Sequence, residues 1–184
     1  MNKEKNYFKD TYHHLYNRGA NKAVIFFERD NYLYFLRRMN HYSLKYKIKI
    51  MCYCLMPNHF HIFLKQMTDE YSVSLFISAL LNSYVKSINE KYKRTGTLFE
   101  SKTKSKQIDN GSYFVWVIKY ILNNPLEAGL MQNISDWEFS NAKDLHRIRN
   151  GNLTDVKYVE SFFQSRKSMI EFLTNDSIKT TYEF

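Results

Sequence analysis

The sequence predicts an α+β fold: an antiparallel sheet of the split βαβ, ferredoxin-like type, with a further helix and a C-terminal extension added after it. Three observations carry this expectation. The 184 residues are 44% hydrophobic, enough for one core and too apolar for a disordered chain. Two segments show the three–four spacing of amphipathic helices, and four others read as strands. Their order is strand, helix, strand, strand, helix, strand, which folds as one antiparallel sheet with both helices on one face. The other face of the sheet is then expected to be free for a site.

Each element has a local reason. Residues 1–10 are polar and are expected to be loosely held. Thr11 to Gly19 reads as the first strand, stopped at the glycine. Residues 29–46 carry the helical stripe Tyr32, Leu33, Phe35, Leu36 and Met39, with Asp30 as the expected N-cap. Two strands follow, about 48–56 and 59–66, and the Pro57-Asn58 turn between them makes a hairpin. From about 71 to 93, Val73, Phe76, Ile77, Leu80, Leu81, Tyr84, Val85 and Ile88 mark the second helix.

Leu98 to Ile108 reads as the fourth strand. Alternation puts Lys102, Lys104 and Lys106 on one face of it, where they either guard a sheet edge or track phosphates. A third helix is expected over 112–124, burying Phe114, Val117, Ile118, Ile121 and Leu122. Tyr113, Trp116, Tyr120 and Asn124 fall on a neighbouring face. Pro125 is expected to end or kink this helix, and Gly129 to act as a later stop. Asn150-Gly151-Asn152 reads as a turn and 165–174 as a short final helix. The domain reading is 1–140, with a core of about 11–130. Residues 141–184 form an extension packed on or flanking the same domain.

Charge points to a partner. Lys and Arg outnumber Asp and Glu, giving a formal net charge of +9, which favours a polyanion. Aromatic residues make up 17%. Rings that are not core would suit single-stranded nucleic acid, where bases stack on them. The two cysteines, Cys52 and Cys54, lie two apart on one strand, too poorly placed for a disulfide. They read as reduced core residues of a cytoplasmic protein. No apolar run reaches the roughly 20 residues of a membrane helix, and no signal-peptide core follows Met1 to Asn6.

The chemistry sits in Met56-Pro57-Asn58-His59-Phe60-His61-Ile62. On a strand, His59 and His61 share a face and Phe60 takes the other. Two imidazoles, roughly 6.5–7 Å apart at the backbone, can converge on one metal ion. A bare His-x-His is also what a surface strand with two incidental histidines would show.

Met-Pro-Asn-His-Phe-His closely resembles the histidine–hydrophobe–histidine (HUH) signature of single-tyrosine transposases, and most resembles the REP-associated tyrosine transposases. The first strand, ending Asn17-Arg18-Gly19, and the segment Asp136-Trp137-Glu138-Phe139-Ser140 are similar to family segments. So is Tyr120-Ile121-Leu122-Asn123-Asn124-Pro125, whose counterpart carries the family's nucleophile in a helix after the last strand. The resemblance covers roughly residues 11–140.

The resemblance implies an enzyme that cleaves and rejoins single-stranded DNA, next to a hairpin, through a 5′-phosphotyrosine. Tyr120 would be the nucleophile, since fifteen tyrosines leave composition unable to choose; Tyr113 is the alternative. His59 and His61 would hold a divalent metal with Asn124 as third ligand. Asn124 lies about one helical turn from Tyr120 and so shares its face. Two nitrogens and an amide oxygen suit Mn²⁺ better than Mg²⁺, though either is allowed. No nucleotide is needed, and no Gly-x-x-x-x-Gly-Lys motif is present.

His13 and His14 point to opposite faces, cannot share a metal, and read as structural or DNA-facing. Arg18, Lys22, Lys102, Lys104, Lys106 and Lys119 are the expected DNA contacts. The active unit is a monomer or a homodimer. A non-catalytic or domesticated DNA-binding protein on the same fold is the alternative; a replication or mobilisation nickase is a third reading.

Overall fold

The computed structural model describes residues 7–109 and 111–175; the expectation for residues 1–6 lies outside the described residues. Four strands form one antiparallel sheet: β1 (Tyr12–Arg18), β2 (Ile48–Met56), β3 (His59–Gln66) and β4 (Lys104–Gln107), in the order β2-β3-β1-β4. Helices α1 (Arg29–Lys45) and α2 (Val73–Lys91) join β1 to β2 and β3 to β4. This is the split βαβ arrangement predicted above.

Alternation divides the sheet cleanly. Leu15 and Phe60 turn toward α1 and α2, where the Phe60 ring lies 5.5 Å from that of Phe35. Tyr12, His14, Tyr16, His61 and Phe63 turn the other way. That second face is not free, as expected, but covered by α3 (Gly111–Glu127). Phe114 packs 4.3 Å from Tyr12 and 5.5 Å from Phe63, ring to ring, and Val117, Ile118 and Ile121 are fully buried. A sheet with an apolar patch on both faces needs a layer on each. The site is therefore confined to the end of the second face that α3 leaves open.

Three local expectations need correction. Asp30 is not the N-cap of α1. Glu28 holds that place, and the Oδ1 of Asn31 accepts from the backbone N–H groups of Phe27 (2.9 Å) and Glu28 (3.2 Å). The Glu28 side chain in turn accepts from the backbone N–H of Asn31, so the two residues form a reciprocal capping box.

The fourth strand is much shorter than 98–108. Asn17 Nδ2 donates to Ser101 O (3.0 Å) and Thr103 Oγ1 (3.3 Å), holding 101–103 to β1 through a side chain instead of a ladder. Lys102 therefore leaves the strand, and only Lys104 and Lys106 share its face. Finally, α3 runs through Pro125 to Glu127.

The described remainder, residues 128–175, includes α4 (Ala142–Leu145), α5 (Val156–Glu160) and α6 (Arg166–Thr174). It covers the outer edge of β2. Leu55 N–H donates to Phe139 O (2.9 Å) and Tyr53 N–H to Asn141 Oδ1 (3.1 Å), while Asn141 Nδ2 donates to Met51 O (3.2 Å). An edge strand paired this way offers no open ladder. Met169 and Leu173 of α6 are buried in the main core. Cys52 and Cys54 are buried free thiols, pushed up by desolvation. No helix among the described residues is long and apolar enough to cross a membrane.

Candidate active site

The turn before β3 sets the first histidine. Asn58 Nδ2 donates to the carbonyl of Lys22 (3.2 Å), which leaves its Oδ1 to accept from Nδ1–H of His59 (2.7 Å). A neutral imidazole carries one N–H, so Nε2 of His59 presents a lone pair. His61, two residues on, emerges on the same face, with the rings 5.2 Å apart and nearly perpendicular.

Across from them stands α3. Tyr120 lies edge-on to His61, ring centroids 5.4 Å apart, and 6.1 Å from His14. One turn later, Asn124 Nδ2 donates to the carbonyls of Tyr120 (2.9 Å) and Ile121 (3.4 Å). Ile121 O is the carbonyl that Pro125, lacking an N–H, cannot reach. The asparagine side chain replaces the lost donor, and this is why the helix survives its proline. The same bonds turn Asn124 Oδ1 outward, 3.2 Å from Nε2 of His59.

Two acceptors, Nε2 and Oδ1, thus face each other at hydrogen-bond distance. A cation held between them would satisfy both lone pairs. His61 adds a second imidazole, so the donor set is two nitrogens and one amide oxygen. Among the described residues, no three His, Cys, Asp or Glu side chains converge to hold a metal; here the third donor is an amide. The residues present fit a divalent cation with open positions.

These groups line one cavity of about 400 Å³, together with Tyr16, Arg18, Lys104, Glu100 and Glu127. Burial pushes the Tyr120 hydroxyl up, the charge of Glu127 adds to this, and the bond with Asn124 opposes it. Desolvation lowers His59 and holds His61 well below the ordinary imidazole range. Burial thus favours the neutral form of both rings, the form a metal needs.

Of the expected DNA contacts, Arg18 and Lys104 lie at this cavity. Lys106 is exposed beside Lys104 on β4, while Lys22 and Lys102 are exposed outside the cavity lining. Lys119 is a correction. It is fully buried and donates to the carbonyls of Phe172 (2.7 Å) and Asn175 (2.6 Å), at the C-terminal end of α6. An ammonium enclosed in protein cannot meet a phosphate.

His14 is the residue that sequence reasoning left outside the site. It is fully buried on the site face, and its Nε2 lies 2.9 Å from Nδ1 of His61. Its neighbour His13 is buried on the opposite face, against Tyr7 and Thr11. Only alternation marked His14, as the member of the pair that shares the face of Tyr12 and Tyr16.

Burial first, and the charge of Lys106 second, pull His14 down to about 3. The unfolded chain would bind a proton at about 6.5. Between these values the unfolded state holds a proton that the native state lacks, so stability falls as pH drops below 6.5. The slope is about 1.4 kcal/mol per pH unit for this one group. Denaturant melts from pH 7.5 to 4.5 are expected to show that extra slope in the wild type relative to His14→Leu. Parallel slopes would show that His14 is not buried neutral.

The chain is similar to proteins of known family and structure. A sequence model described as "Transposase IS200 like" matches residues 7–124, a span holding both histidines, the tyrosine and the asparagine. No curated protein matches the chain. Among solved structures, the chain is similar to a REP-associated tyrosine transposase bound to a REP hairpin. The TM-score is 0.67 at 17% identity, over 84% of this chain and 94% of that one. It also matches a Deinococcus radiodurans R1 protein proposed to be a transposase, with TM-score 0.45 and 17% identity, over 67% of this chain and 97% of that one. The first likeness shows the fold. The family model spans well over half of the sequence, and the chain belongs to the IS200-like transposases.

Proposed function

We propose that the protein cleaves and rejoins single-stranded DNA beside a hairpin, with Tyr120 as nucleophile and His59, His61 and Asn124 holding a divalent metal, Mn²⁺ or Mg²⁺. One observation carries the reading: the tyrosine, both imidazoles and the amide oxygen converge on one cavity, with two acceptors opposed at 3.2 Å. The solved transposase that this chain resembles holds a hairpin, which supports the choice of DNA.

The chemistry follows from those groups. The phenol oxygen of Tyr120 forms a bond to the scissile phosphorus, and the bond from phosphorus to the 3′ oxygen breaks. The phenol proton leaves to solvent, and the departing oxygen takes one up as a 3′-hydroxyl. The product on the protein is a 5′-phosphotyrosine. In the reverse direction a 3′-hydroxyl attacks phosphorus and Tyr120 recovers its proton, so the strand is resealed with no nucleotide. The metal, when bound, supplies positive charge to the scissile phosphate. His59, His61 and Asn124 are neutral donors and leave that charge undiminished. Arg18 and Lys104 hold the phosphate backbone at the mouth of the cavity.

Residues 141–175 of the extension belong to the same domain, a reading supported by the buried Met169 and Leu173 and by the bonds of Lys119 to the end of α6; residues 176–184 lie outside the described residues.

The test uses end-labelled single strands flanking a hairpin, incubated with protein and Mn²⁺ and run on a denaturing gel. A slow-migrating covalent adduct, abolished by EDTA, is expected. Tight binding with no adduct in either metal would identify a non-catalytic DNA-binding protein instead.

Lys104 and Lys106 share the site face of β4, over the Tyr16 and Tyr113 rings respectively. Removing both to Ala is expected to lower the salt slope of single-strand binding by about 1.4, or about 0.7 per lost phosphate contact. Lys119→Met should leave that slope unchanged and cost stability. Binding of a hairpin oligonucleotide across a salt series checks both. An unchanged slope in the double variant removes β4 from the DNA path.

A further inference from the structure

We propose that His14 is a positioning residue of the cation site: its Nε2 accepts the Nδ1–H of His61 and thereby leaves Nε2 of His61 unprotonated and available to the metal. This rests on the metal reading given above and adds the device that makes His61 a competent ligand.

The two histidines come from neighbouring strands. Tyr16 pairs with His61 and His14 with Phe63, so His14 and His61 are diagonal neighbours on the site face. Their rings stack with centroids 5.1 Å apart and 23° between planes, and the two nitrogens lie 2.9 Å apart. Both side chains are buried, which limits the partners these two nitrogens can find.

A hydrogen bond between two neutral imidazoles needs one N–H and one lone pair. Two arrangements satisfy it. If the proton sits on Nε2 of His14, then His61 accepts at Nδ1, carries its own proton on Nε2, and cannot ligate through that atom. If the proton sits on Nδ1 of His61, Nε2 presents its lone pair to the cavity. Only the second admits a metal, and it requires His14 to act as acceptor.

His59 reaches the same condition by another route. Its Nδ1 is bonded to Asn58 Oδ1, an atom that can only accept. Both imidazoles are thus held at Nδ1 and open at Nε2. One is fixed by an amide oxygen, the other by a ring that can take either tautomer. Outer partners of this kind set ligand orientation and basicity, and losing one typically costs roughly 10- to 100-fold in metal affinity.

The test reads tautomers in the full-length protein labelled with ¹⁵N at histidine. On titration with Mg²⁺, His59 and His61 are expected to respond at Nε2, with the His61 proton on Nδ1. A His61 proton that stays on Nε2, in protein whose His59 has responded, overturns the proposal and leaves the metal reading standing. Failure of both rings to respond to Mg²⁺, and of Mn²⁺ to broaden them, sinks the metal reading and the inference with it.

Binding of Mn²⁺ alone, followed by the EPR signal of the free ion, is expected to weaken roughly 10- to 100-fold in His14→Leu. His14→Gln, whose amide oxygen can accept from Nδ1–H, should recover part of the loss. Wild-type Mn²⁺ affinity in His14→Leu overturns the proposal. Should that variant fail to fold, the wild-type tautomer measurement decides alone.

Discussion

Tyr120→Phe is expected to abolish strand cleavage and the covalent adduct while leaving hairpin binding within about twofold. The substitution removes one oxygen and keeps the ring that packs against His61 and His14. Loss of a nucleophile in an enzyme that acts through a covalent intermediate costs on the order of 10⁴-fold or more. Water is a poor stand-in, because the geometry that remains is built for a phenol on α3. Rate and adduct are read on the same denaturing gel, and affinity by fluorescence anisotropy. An adduct that persists in Tyr120→Phe would move the nucleophile to another tyrosine, with Tyr113 the first to test.

The second large effect belongs to the histidines. His59→Ala or His61→Ala is expected to reduce cleavage at least roughly 100-fold, as severely as chelation by EDTA, because each removes one of two nitrogen donors. Asn124→Ala should cost less directly, since water can replace one amide oxygen. It carries a second penalty, however: Ile121 O loses the donor that compensates for Pro125. A modest loss of thermal stability is therefore expected in Asn124→Ala beyond any loss of rate. Full activity of the wild type in EDTA would remove the metal from the mechanism.

The parts of this molecule that were legible in the sequence are those governed by short-range periodicity. Val73, Phe76, Leu80 and Tyr84 marked α2 because they recur at the helical repeat. His59 and His61 shared a face because the strand repeat is two. Tyr120 and Asn124 shared one because they are a turn apart. What escaped depends on partners distant in the chain. The strand expected from Leu98 shrank because Asn17, more than eighty residues earlier, captures Ser101 and Thr103 with its side chain. Glu28 replaced Asp30 as the cap because Asn31 reaches back to two backbone donors. His14 read as structural or DNA-facing because its partner, His61, lies on another strand, 47 residues away. Lys119 read as a surface cation because nothing local says that α6 will bring carbonyls to it. Pro125 misled for a related reason: the donor that rescues its helix is a side chain, and propensity counts only the backbone.

That buried lysine has a bearing on how the protein would be degraded. The residue before the tyrosine is anchored, from the far side of α3, by the last turn of a nine-residue helix. A protease cutting the segment between α5 and α6 would not need to unfold the sheet. Release of α6 would remove both carbonyls to which the Lys119 ammonium donates, and water would have to replace them. That opening would also expose Met169 and Leu173, which are buried in the main core, so access for proteolysis there is limited by lost burial as well as lost hydrogen bonds.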